Sequence, residues 1–147
     1  MKNKIKLLFV DDDKTFSKVM KKELTSMGYS VVCADCGEKA IDTFKKRNFE
    51  VIILDIKMPG IGGLNTLKGV KEIDPEVEVI MLTGRATIES AVESMKIGAY
   101  DYITKPCRLS ELDILLKKAY EKRQISKENI SLKRLVTSKE RDKVMIS

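Results

Sequence analysis

Five short runs, at residues 5–10, 30–34, 51–54, 77–82 and 101–103, alternate with stretches whose apolar residues recur every three or four positions. Runs of this length, apolar without interruption at 51–54 and nearly so at 77–82, predict strands covered on both faces. The intervening spacing predicts helices. After Asp13, a candidate N-cap, Phe16, Val19, Met20, Leu24 and Met27 follow helical spacing until Gly28 ends it. Asp35 with Glu38 three residues later predicts a capping box opening a helix through Ala40, Ile41 and Phe44. A third helix carries Leu64, Leu67 and Val70 between Gly62-Gly63 and Pro75, and a fourth carries Ile88, Ala91, Val92 and Met95 before Gly98. Ser110 with Asp113 predicts the cap of a fifth, through Leu112, Leu116 and Ala119. Parallel strands need crossover connections and these are right-handed, so the alternation predicts a doubly wound α/β domain with a five-stranded parallel sheet.

In such sheets ligands bind at the carboxyl ends of the strands. Asp11 and Asp12 follow the first run, Asp55 the third, Thr83 the fourth, and Lys105 the brief fifth. Each alone has an ordinary explanation as a cap, a turn residue or a surface lysine. Their coincidence after four different strands predicts a single site. Carboxylates gathered there stay ionised together only around a cation. A metal, a carboxylate nucleophile and a fixed ammonium point to phosphoryl chemistry on Asp55, which Met58-Pro59-Gly60 places at a mouth rather than in the core.

Composition narrows the choice. The 147 residues suffice for one domain with an extension. The formal charge of +6 belongs to residues 117–147, where ten basic residues face four acids; the rest is neutral and gives no sign of binding nucleic acid. No apolar run approaches the roughly 18 residues of a membrane span, and no signal region opens the chain, so a cytoplasmic address is expected. Cys33 and Cys36 form a C-x-x-C with no second pair and no histidine to complete a metal site, and the bland reading as small core and loop residues is preferred. The absence of histidine excludes Ser/His and Cys/His catalysis within the chain, and any phosphohistidine must come from a partner. From residue 107 onward there is neither Gly nor Pro, so the fifth helix is expected to run on. Ile125 and Leu132, with less regular Glu128, Asn129, Leu135 and Val136, give a partial heptad; a solvated, fraying helix is the competing reading.

Through Val10-Asp11-Asp12-Asp13, Ile53-Leu54-Asp55-Ile56-Lys57-Met58-Pro59-Gly60, Leu82-Thr83-Gly84 and Gly98-Ala99-Tyr100-Asp101-Tyr102-Ile103-Thr104-Lys105-Pro106, the chain resembles the receiver domains of bacterial two-component response regulators. The resemblance covers about residues 4–122. It implies a flavodoxin-like (βα)5 fold of strand order 2-1-3-4-5, with 1–122 as receiver and 123–147 as a basic helical linker or tail. It implies Asp55 as phosphoacceptor and Asp11 and Asp12 as the Mg2+ pair, with the Lys57 backbone carbonyl as a further ligand. Thr83 then corresponds to the switch hydroxyl, Gly84 to an N–H donor for the phosphoryl group, Lys105 to the phosphate-pairing lysine and Tyr102 to the switch aromatic. A cis Lys105-Pro106 bond is also implied. The implied partners are a sensor histidine kinase in trans, a second copy through the fourth helix, fifth strand and fifth helix or through the C-terminal helix, and an output domain that this stretch lacks.

Residues 84–106 look most like the N-terminal receivers of enhancer-binding transcription activators, so control of transcription is the expected output. The phosphorylation is self-catalysed in this reading, and the chain is a regulator rather than an enzyme. The alternative, a phosphohydrolase passing through an aspartyl phosphate, lacks a second acid two residues after Asp55, where Lys57 stands. A degenerate scaffold is disfavoured by the intact set of residues. DNA binding by the basic helix is disfavoured by the lack of a helix-turn-helix or dimeric basic region. Departures from the family pattern are Cys107 in place of a large aromatic, Arg108 in place of an N-cap acid, and Lys57 and Arg85 at variable positions.

Overall fold

Strands β1 (Lys6–Val10), β2 (Ser30–Ala34), β3 (Val51–Leu54), β4 (Glu78–Thr83) and β5 (Asp101–Thr104) pair in parallel in the order β2-β1-β3-β4-β5. The computed structural model describes the backbone of residues 4–146 and the side chains of residues 4–129 and 132. Helices α1 (Lys14–Ser26), α2 (Gly37–Lys46), α3 (Gly62–Ile73), α4 (Ile88–Ile97) and α5 (Leu109–Ile146) alternate with the strands. This is the doubly wound arrangement that the alternating pattern predicts.

Side chains alternate across a pleated sheet, so each strand feeds two cores. Leu8, Val10, Ile52, Leu54, Val79 and Met81 pack on one face with Ala40 and Phe44 of α2 and Leu67 and Val70 of α3. Leu7, Phe9, Val51, Ile53, Ile80 and Leu82 pack on the other with Met20 and Leu24 of α1 and Leu112, Leu116 and Ala119 of α5. Both β3 and β4 are buried along their whole length, which is why their sequences show no polar alternation. Each fully buried aliphatic side chain contributes about 1.5–3 kcal/mol against entropy.

Several local expectations shift. β1 starts at Lys6, β4 runs one residue later than its apolar run, and β5 extends to Thr104, because strand ends follow the ladder rather than side-chain polarity. The expected Asp35/Glu38 capping box does not form. Helix α2 opens after Cys36, which makes no side-chain cap bond, so Glu38 stands at the second helical position and cannot reach back to the cap. Glu38 instead accepts the Ile61 N–H at 2.7 Å, and Asp35 pairs with Lys39 at 3.1 Å. Helix α5 begins at Leu109, with the Leu112 N–H bonded to the Arg108 carbonyl at 3.0 Å, so Ser110 lies in the first turn rather than at the cap.

The α4 pattern is the largest departure. Ile88, Val92 and Met95 are 82%, 47% and 48% exposed, whereas Ser94 is buried and donates to the Ser90 carbonyl at 2.7 Å. Helical spacing of apolar residues marks a stripe but not the face that is covered. On α1, Val19 is likewise exposed.

Past Ala119, polar contacts hold α5 against the base of the sheet. Lys122 reaches Glu78 at 3.4 Å and Arg123 reaches Asp74 at 3.0 Å. Glu78 is buried at the start of β4; burial pushes its carboxyl up, and the charges of Lys71 and Lys122 pull it back. Arg123 is the last buried side chain among those described, and α5 passes residue 122 without a break. Ile125 and Leu132 are exposed, while Leu135 and Val136 of the partial heptad lie outside the described side chains.

Cys33, Cys36 and Cys107 are free and half-buried. Burial pushes the Cys33 thiol up, the reverse of what a redox or metal-binding thiolate needs. Among the described residues, no helix is long and apolar enough to cross a membrane.

Tyr29 donates its hydroxyl to the Asp113 carboxylate, tying the α1–β2 corner to α5. This bond, assisted by Lys117, holds Asp113 below its ordinary 3.8. A depressed carboxyl stabilises the fold above its unfolded pKa and loses that contribution as pH falls through the folded value. Tyr29→Phe should therefore lower stability at pH 7 by about 1 kcal/mol. In urea unfolding the gap to wild type should narrow below about pH 3.5, as Asp113 protonates in both proteins.

Candidate functional site

The site is set by backbone ladders that end at the same sheet edge. Val10 lies opposite Leu54 in register, so the residues that follow them, Asp11 and Asp55, emerge side by side. The Asp11 N–H bonds to the Ala34 carbonyl at 3.1 Å and the Asp55 N–H to the Val10 carbonyl at 3.0 Å, extending the ladder one step and fixing both positions. The Asp11 carboxylate accepts the Asp13 N–H at 2.9 Å, and Asp13 caps α1 by accepting the Phe16 N–H at 3.0 Å. The turn that starts α1 thus also orients Asp11.

The far side comes from β4 and β5. Thr83 pairs with Thr104 in register, and the Lys105 N–H bonds to the Thr83 carbonyl at 2.8 Å. The Lys105–Pro106 peptide is cis. The Lys105 ammonium lies 2.5 Å from Asp11 Oδ2, 3.4 Å from Asp55 Oδ2 and 4.5 Å from the centroid of the Phe16 ring. That ring adds a cation–π contact to the two carboxylates.

Asp11, Asp12 and Asp55 each offer one oxygen, all within 4.8 Å of one another; Asp11 and Asp55 are buried and Asp12 is exposed. Burial pushes the Asp11 carboxyl up and the charge of Asp55 adds to this, while its bonds to Lys105 and the Asp13 N–H oppose them. Burial by itself would depress Lys105, but the Asp11 hydrogen bond and the charges of Asp11 and Asp55 raise it on balance, so the ammonium stays charged at neutral pH. One lysine does not balance three acids. Asp55 Oδ1 is buried and makes no hydrogen bond. An unpaired buried carboxylate oxygen within a cluster of oxygen donors fits a hard divalent cation such as Mg2+.

Thr83 ends β4 and Gly84 follows it, while Lys57 lies in the loop after β3. The Thr83 hydroxyl is buried and accepts the Arg85 N–H at 3.2 Å. Lys57 has an exposed side chain, and so has Gly84 an exposed position. Tyr102 is half-buried, packs against the α2–α3 core and lies with its hydroxyl 2.8 Å from Ser90 Oγ, which ties β5 to α4.

Sequence reasoning missed three participants. Phe16 was visible only as a core residue of α1, and Ser90 as a polar residue within α4. Gly63 carried a signal in the Gly-Gly pair beyond Asp55. A Cβ there would stand 2.2 Å from the Asp55 carbonyl oxygen and 2.5 Å from Ile56 Cα, so α3 starts hard against the loop that carries Asp55.

Comparison with known proteins agrees with this fold. The response regulator receiver domain family matches residues 7–117, three quarters of the chain. The chain belongs to that family. Over 115 residues this receiver is 35% identical to the transcriptional regulatory protein ZraR of Escherichia coli O157:H7, covering 78% of this chain and 26% of ZraR. It is 36% identical over 139 residues to a putative response regulator NtrX-like of Rickettsia felis, covering 93% of this chain and 29% of that protein. A receiver domain protein (CheY-like) from Methanospirillum hungatei JF-1 superposes with a TM-score of 0.81 at 28% identity, covering 84% of this chain and 99% of its own. The chain thus spans between a quarter and a third of the length of these curated relatives.

Two outcomes are expected. Asp12→Asn and Asp55→Asn should each weaken Mg2+ binding by about tenfold or more in isothermal calorimetry, whereas Lys105→Ala, which removes a competing cation, should strengthen it. Gly63→Ala should cost about 1–3 kcal/mol in urea unfolding, because backbone rather than a flexible side chain must yield.

Proposed function

We propose that this receiver takes a phosphoryl group onto Asp55 from the phosphohistidine of a sensor histidine kinase and relays the event to an output through α4, β5 and α5. The observation that carries this reading is Asp55 Oδ1, buried and unbonded beside two further carboxylates and one ammonium. An Asp55 oxygen forms the new bond to phosphorus as the P–N bond breaks, its electron pair returning to the imidazole of the donor. Asp11, Asp12 and Asp55, with the Lys57 backbone carbonyl, would hold Mg2+, which neutralises charge on the transferring group. Lys105, already charged and anchored on Asp11, balances phosphoryl oxygens, and the Gly84 N–H and Thr83 hydroxyl donate to them. Transfer to Asp55 and later loss of the group to water need no further protein residues, so the chemistry is self-catalysed and the protein acts as a regulator.

The conformational output starts from Thr83. Its hydroxyl, which accepts the Arg85 N–H, moves inward to donate to a phosphoryl oxygen, and the room this opens lets Tyr102 leave Ser90, loosening the tie between β5 and α4. The solvent-facing stripe of Ile88, Val92 and Met95 supports a second copy docking on the α4–β5–α5 face, and Ile125 and Leu132 support pairing along α5. The shared regulators of transcription are far longer than this chain, which supports 1–122 as the receiver and 123–147 as a linker toward an output domain that controls transcription. The basic linker has no DNA-reading motif. A cytoplasmic location fits a donor kinase acting in trans. The exposed Lys57, where a hydrolase of this chemistry would need an acid, disfavours phosphoester turnover.

Acetyl phosphate with Mg2+ should add one phosphoryl group, located to Asp55 by mass spectrometry; Asp55→Asn should abolish labelling and Lys105→Ala should reduce it at least tenfold. Label on another residue, or undiminished label in Asp55→Asn, overturns the assignment. Light scattering before and after phosphorylation should show a rise in mass if the α4 stripe is the output surface.

A further inference from the structure

At the end of the sheet opposite the carboxylates, a cavity of about 680 Å³ opens between the starts of β1, β2 and β3 and helix α5. Four cations line it: Lys4 and Lys6 from the β1 side, and Arg123 and Lys127 from α5. Glu50 is the one acid among its lining residues, and it is engaged, with Oε1 accepting the Lys6 N–H at 3.0 Å and Oε2 facing Gln124 Nε2 at 3.5 Å. Among the described residues, Lys4, Lys6 and Lys127 form no salt bridge.

Arg123 separates this cavity from an ordinary solvated basic surface. It is 6% exposed, its Nη1 is bonded to Asp74 at 3.0 Å, and its Nε is buried with no acceptor. A buried donor without a partner is rare in folded proteins. An anion in the cavity would lie beside the charged guanidinium, and three ammonium groups without a salt bridge among the described residues would neutralise further charges on the same ligand.

We propose that this basal cavity binds a small polyphosphate anion, clamped between the start of β1 and α5. Because its cations come from both the body and the helix, the ligand would brace α5 where its side chains cease to be buried. The inference does not rest on phosphorylation of Asp55. Tyr120, half-buried, also lines the cavity and offers apolar surface to a nucleoside, so inorganic and nucleoside polyphosphates are distinguished by experiment.

Calorimetry on the full chain, without Mg2+ and at fixed ionic strength, should show one saturable site for sodium tripolyphosphate or for adenosine triphosphate. Equal affinities assign the site to the phosphate chain, and at least tenfold tighter binding of the nucleotide assigns the nucleoside to the Tyr120 side. The double variant Lys6→Ala/Lys127→Ala, which spares the Arg123–Asp74 pair and hence the fold, should weaken binding at least tenfold. Lys14→Ala, exposed at the other end of the sheet, should leave it unchanged. Failure of both ligands to saturate at millimolar concentration, unaltered binding in the double variant, or loss of binding in Lys14→Ala overturns the proposal.

Discussion

Two buried carboxylates sharing one ammonium is the contact on which the molecule turns. Asp11 and Asp55 are forced together by the pairing of β1 with β3, and ionised acids so close would repel without compensation. Lys105 supplies part of it from two strands away. Its backbone is fixed by the Thr83 carbonyl and its ammonium is wedged among Asp11, Asp55 and the Phe16 ring. The compensation stays incomplete, and the unbonded Asp55 oxygen is where the deficit is found. A stable fold that leaves one acceptor unmet at its surface mouth is suited to receiving a cation and a phosphoryl group in succession.

The strands were legible because their determinants are local and redundant, and their order followed from the family resemblance. The continuous apolar run at 51–54 and the helical spacing around Leu24 and Leu116 each admit few alternatives. The convergence of Asp11, Asp12, Asp55 and Lys105 was legible too, because a residue one step past a parallel strand can only lie at the carboxyl edge. What failed was local chemistry that depends on a neighbour. Asp35 and Glu38 have capping-box spacing, but Ile61, brought near by the α2–α3 packing, takes Glu38 away. In α4 the spacing of Ile88, Val92 and Met95 was sound, but no amount of periodicity tells whether the stripe meets protein or water. Phe16 and Ser90 escaped notice because their partners, Lys105 and Tyr102, are distant in sequence or belong to another element.

The two ends of the sheet are built on different principles. At the carboxyl edge, acids gather around too little positive charge. At the base, Glu78, Asp74 and Glu50 are met one by one by Lys122, Arg123 and Gln124, all consecutive residues of α5. Three consecutive side chains point in different directions around a helix, so they fix its rotation as well as its position. The apolar residues Leu112, Leu116 and Ala119 bring α5 to the sheet, and the polar ones set its angle of departure.

That departure angle has leverage. Helix α5 has 38 residues, and the stretch beyond Arg123 extends by about 35 Å at 1.5 Å per residue. A rigid rod of that length converts a tilt of about 5° at its root into a displacement of about 3 Å at its tip, comparable to the sliding of one packed side chain past another. Small repacking within the body is therefore enlarged geometrically before it reaches the far end of the helix.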